Sequence, residues 1–176
     1  MALTPVFVVA CALLVLAGAQ KLRTPGPAHH SLALAGLPVP AVVVRLLGAG
    51  ELAIGAIAAV WPTVLTGALV ALAYGAFCAF LVLLLRRAGG ASADCGCFGG
   101  TDAGATTAHV ALNALPCVAG VLAATVHPPG LGWALTRPAL VAVPLLLGTS
   151  AAVLAAYLAF TVFPRAWRAY GLGAEP

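Results

Sequence analysis

Five long apolar runs constrain this chain more than any other feature. They cover residues 3–20, 39–60, 63–85, 109–126 and 139–163. Each is near the roughly 20 residues that a helix needs to cross the hydrocarbon of a bilayer. Only 7% of the residues are charged and 63% are hydrophobic, and the mean hydropathy is +1.12. A water-soluble domain has about a quarter of its residues charged, so this chain cannot clothe itself for water. In lipid every backbone polar group must be satisfied internally, which leaves helices for runs of this length. The expected fold is all-α, a polytopic transmembrane helical bundle of about five spans (four being the alternative count). Residues 1–176 form a single membrane domain with no repeat and no long linker. The first run has no positively charged segment ahead of it, and Lys21 and Arg23 follow it. That order argues for a retained span rather than a cleaved signal.

The net charge of +4 comes from basic residues placed singly or in pairs at the ends of apolar runs. This pattern excludes a nucleic-acid partner and gives an orientation signal instead. Lys21, Arg23, Arg86, Arg87, Arg165 and Arg168 share one side of a five-span protein, and Arg137 lies on the other. The expected placement is a multi-pass plasma-membrane protein with its N-terminus outside and its C-terminus inside. The loop 88–108 is then expected to face the cytoplasm. Trp61, Trp133 and Trp167 fall near span ends, as an interfacial aromatic belt requires. Gly67, Ala71, Gly75 and Ala79 recur along the third span and predict a smooth stripe for close approach of another helix.

The loop carries the most specific stretch, Asp94-Cys95-Gly96-Cys97-Phe98-Gly99. A disulfide wants its α-carbons about 4.4–6.8 Å apart with the side chains turned together. Gly96 and Gly99-Gly100 permit the turn that would allow it. So small a ring is strained, and strained disulfides are the labile, exchanging ones. Arg86 and Arg87 favour the thiolate and Asp94 opposes it. Two alternatives stand beside redox exchange. One is a soft-metal site, for which no second cysteine pair is at hand and His109 is the only nearby imidazole. The other is a static disulfide or two idle thiols.

The hexapeptide resembles the signature loop of the MauE family, which is related in architecture to DoxX-like membrane proteins. The order of features is also similar: Lys21 after the first span, Arg45 and Glu51 in the second, the cysteine loop after the third, and Asn113 in the fourth. The resemblance covers about residues 6–163. It implies a thiol–disulfide redox protein acting with a thioredoxin-like partner in maturing exported thiol proteins, notably a methylamine dehydrogenase subunit. Cys95 and Cys97 would then be the redox pair. The rival from a different class is a non-enzymatic assembly factor or scaffold for a partner complex. A transporter is disfavoured by the scarcity of polar residues in the spans.

Two further groups lie inside the spans. Cys11, Cys78 and Cys117 each sit about 8–9 residues from the loop-side end of their runs. That is a common depth of about 12–14 Å, suited to a disulfide relay or simply to three buried apolar thiols. Arg45 and Glu51 are six residues apart on one helix, too far round it to pair, so each needs a partner elsewhere, such as Lys21 or Asn113. A buried polar site of this kind could take a quinone headgroup or protons from thiol oxidation, or it could merely lock helices together. Pro116 interrupts the fourth span beside Cys117.

Overall fold

The computed structural model describes residues 3–87 and 106–162. Seven helices occur among them: α1 (Leu3–Arg23), α2 (Gly26–Leu34), α3 (Ala41–Val60), α4 (Val64–Arg87), α5 (Thr107–Val126), α6 (Leu131–Leu135) and α7 (Ala139–Thr161). The expected all-helical membrane bundle is found: α1, α3, α4, α5 and α7 are the 5 helices long and apolar enough to span a bilayer. The tail with Arg165, Trp167 and Arg168, and most of the loop 88–108, lie outside the described residues.

Local chemistry sets several helix ends. Thr63 and Thr66 exchange bonds at the start of α4, with Thr66 Oγ1 accepting from the Thr63 amide at 2.8 Å and Thr63 Oγ1 from the Thr66 amide at 3.2 Å. This reciprocal cap follows the Trp61-Pro62 turn and lets α4 begin at once. At α5, Thr106 and His109 form the same kind of box.

The bundle is two tight helix pairs set side by side. α1 packs most extensively on α3, and α4 on α5, while α3 and α4 touch sparsely. In α1/α3, a Cβ on Gly18 would lie 2.5 Å from the Gly48 carbonyl oxygen. In α4/α5, a Cβ on Gly120 would lie 2.6 Å from the Ala71 nitrogen. No side chain fits at either point, so the backbones touch there, the packing on which lipid-embedded helices rely. The stripe expected on the third span therefore meets α5 through Gly67, Ala71 and Gly75. Ala79 is instead exposed, because Cys78 takes the place facing α5.

A buried cluster joins the pairs through Phe7, Cys11, Leu14, Ala58, Val70, Tyr74 and Ala123. The Tyr74 hydroxyl donates to the Ala10 carbonyl of α1 at 2.7 Å. This bond satisfies the phenol at bilayer depth and ties α4 to α1. α7 is peripheral: 6% of its most apolar window is buried, against 50% for α1. Its surface is apolar all round, as lipid permits.

Between the first two apolar runs, the polar stretch with Pro25, Pro27, His29 and His30 winds from Gly26 to Leu34 into α2. Proline is tolerated in a first turn, where its missing N–H would be unbonded anyway. The helix closes with a Schellman motif: Leu37 N–H donates to the Leu32 carbonyl at 2.8 Å and Gly36 N–H to Ala33 at 2.9 Å. Gly36 has φ +72°, and a Cβ there would overlap the Arg87 guanidinium. Arg87 Nη1 donates to the Ala35 carbonyl at 2.9 Å. Ala35 also packs on Leu84. The last turn of α4 thus clamps α2 across the end of the bundle.

Candidate functional site

Lys21 lies in the last turn of α1 and Glu51 in the middle of α3. The close α1/α3 contact brings the Lys21 Cβ against Gly48, one turn from Glu51. Lys21 Nζ donates to Glu51 Oε2 at 2.6 Å, with the two side chains only 9% and 10% exposed. The ammonium also sits 5.0 Å from the centre of the Phe77 ring on α4, within cation–π range. Of the partners expected for Glu51, Lys21 is the one it meets. Asn113 instead donates to the His109 carbonyl at 2.7 Å, one turn back on its own helix. Arg45 is exposed near the start of α3, where its long stem reaches the interface.

The ion pair forms one wall of a cleft between α3 and α4. Beneath α2 lies a cavity of about 210 Å³ bounded by Ala28, Leu32, Lys21, Glu51, Phe77 and Phe80. A second, of about 380 Å³, continues along α3 and α4 past Leu46, Gly50, Ile54 and Ala73. Both share Leu47, Glu51, Ala76 and Phe77. Among the described residues, only Thr4 Oγ1 is an enclosed side-chain polar atom without a partner. Glu51 Oε1, which receives no hydrogen bond there, is therefore reached from the cleft. The site offers a cation, a carboxylate oxygen and an aromatic face in an otherwise apolar slot.

The sequence gives no hint of Phe77's part or of α2 as a roof. It also hides the second polar centre, at His109. Both His109 ring nitrogens are engaged: Nδ1 accepts from the Thr106 amide at 3.2 Å, so the ring proton belongs on Nε2, which donates to the Phe160 carbonyl at 3.2 Å. Phe160 lies in the last turn of α7, where carbonyls have no helical partner. His109 thereby pins α7 to α5. Its position as third residue after a helix-capping threonine is the one sequence signal that could have suggested this.

Cys95 and Cys97 lie outside the described residues. The last described residue of α4, Arg87, lies against Ala35 and Gly36 just after α2. The three inner thiols are all free. Cys11 is fully enclosed in the central cluster, against which Cys117 packs. Cys78 Sγ donates to the Val110 carbonyl at 3.6 Å and Cys117 Sγ to Ala71 at 3.3 Å. A Cβ on Gly75 would lie 3.8 Å from Cys117 Sγ, which puts Cys117 about one turn, roughly 5 Å, from Cys78 along the α4/α5 seam. Cys78 and Cys117 each donate to a carbonyl of the facing helix.

A family model described as methylamine utilisation protein MauE matches residues 1–126. No curated protein and no solved structure matches the chain. The matched stretch holds α1 to α5, the Lys21–Glu51 pair, the cleft residues and the Cys95-Gly96-Cys97 loop, and on that match the chain belongs to the MauE family.

Proposed function

We propose that this chain is a membrane thiol–disulfide exchange protein. It would support the maturation of exported proteins together with a thioredoxin-like partner, in the methylamine-utilisation setting that the family's name carries. The observation behind this reading is the Cys95-Gly96-Cys97 pair, set in glycines within the family-matched region. In the exchange, a partner thiolate attacks the Cys95–Cys97 disulfide to give a mixed disulfide. The partner's second thiolate then attacks the partner sulfur of that bond, leaving the partner as a disulfide and this chain as a dithiol. The inner thiols serve this reading less well, since Cys78 and Cys117 already donate to carbonyls across their seam.

The test is alkylation before and after reduction, over a range of redox poise, with mass analysis of the peptide holding both cysteines. A two-hydrogen change in mass is expected, and its absence at every poise would refute the exchange. Replacing both residues by serine should also abolish partner maturation. Unimpaired maturation would instead assign the chain a scaffold role.

A further inference from the structure

We infer that the α3/α4 cleft beside Lys21 and Glu51 binds the ring of a lipid-soluble quinone; as a redox role, this rests on the exchange reading above. Charge selects among membrane occupants. An anionic headgroup would gain Lys21 but meet the Glu51 carboxylate already bonded to it at 2.6 Å. A bare acyl chain would leave the Glu51 oxygen facing hydrocarbon, a costly exposure. A quinone oxygen accepts from the ammonium, and the hydroxyl of its reduced form donates to Glu51 Oε1. Phe77 supplies a ring to stack against.

Depth selects in the same direction. Glu51 lies six residues, about 9 Å, below the exposed Arg45 on α3. Phosphate headgroups stay at the level of such basic residues, whereas an uncharged ring partitions lower. The larger cavity, about 380 Å³, falls within the range of small-molecule sites, about 300–1,000 Å³. The sparse α3/α4 contact leaves the cleft accessible from the lipid side for an isoprenoid tail. The chemistry balances: two S–H bonds break and one S–S bond forms at Cys95 and Cys97, while the quinone takes two electrons and two protons to form two O–H bonds.

The test uses the full chain in lipid nanodiscs, titrated with a short-chain benzoquinone and, separately, a short-chain naphthoquinone. Saturable binding of one ring per chain is expected with at least one of them. Two variants probe the cleft. Ala76→Phe fills the slot from an exposed position, and Lys21→Met with Glu51→Gln removes both charges together. Each should weaken binding at least about tenfold, whereas Cys95→Ser with Cys97→Ser should bind as the parent does. Uptake that merely follows lipid content overturns the inference, and so does undiminished binding by Ala76→Phe. The Ala76 variant decides the matter should the double variant fail to fold. Lost binding with intact dithiol exchange removes only the quinone site; intact binding with an inert dithiol removes the exchange reading.

Discussion

Replacing Lys21 by methionine keeps the length and packing of the side chain and removes only its charge. Glu51 is then left with no cation within its cleft, near the middle of α3. Breaking a buried pair by deleting one partner costs about 3–5 kcal/mol. A carboxylate at the centre of a span costs about 2.5–3.5 kcal/mol on insertion scales. With the side chains 9% and 10% exposed, a loss of about 3 kcal/mol is expected. The converse change, Glu51→Gln, should cost less, about 1 kcal/mol. Lys21 is two residues from the end of α1, and its stem can carry the ammonium to the interface. The double variant has no charge to strand and should also lose about 1 kcal/mol, so the single costs overshoot it by about 3 kcal/mol. Reversible unfolding by SDS in mixed micelles, followed by helical circular dichroism, measures all four proteins. A Lys21→Met protein within about 0.5 kcal/mol of the parent, or strictly additive costs, would refute the pairing argument.

Four more perturbations reach other parts of the frame. Gly120→Val should cost about 1–3 kcal/mol or more in the same titration, because its Cβ has no room against the Ala71 backbone. Gly50→Ala, with nothing within 4 Å, should be neutral or gain up to about 1 kcal/mol. Gly36→Ala forces an L-residue to φ +72° against Arg87; it should cost about 1 kcal/mol or more and speed amide exchange in α2 while sparing α1. His109→Leu strips a donor from the Phe160 carbonyl, a loss of about 1–3 kcal/mol. Faster exchange in the last turn of α7, partly reversed by His109→Gln, is the signature to look for.

What could be read from the sequence follows the reach of each signal. Hydropathy is a local sum, and it anticipated five helices long and apolar enough to span a bilayer. The glycine spacing in the third span named its contact face correctly as far as Gly75, because small residues act through the backbone itself. Pairing Glu51 with Lys21 was within reach, since a mid-span carboxylate needs a cation and few are present. Helix α2 was missed because Pro25, Pro27 and Gly26 dominate its start, while the bonds that finish it depend on Arg87, far along the chain. The cleft and the His109 link were hidden for a related reason: each is a meeting of helices whose relative rotation no single run encodes.

The peripheral position of α7 has a consequence for parity. The family-matched residues 1–126 contain four crossing helices, an even number. An even count of crossings returns a chain to the compartment it came from, whereas a fifth crossing by α7 would make the count odd. The helix that decides this is the least embedded of the five. Three candidate spans precede residue 88, and α7 does not enter that count. Reporter fusions after Thr161 and between α4 and α5 would therefore read two separate quantities.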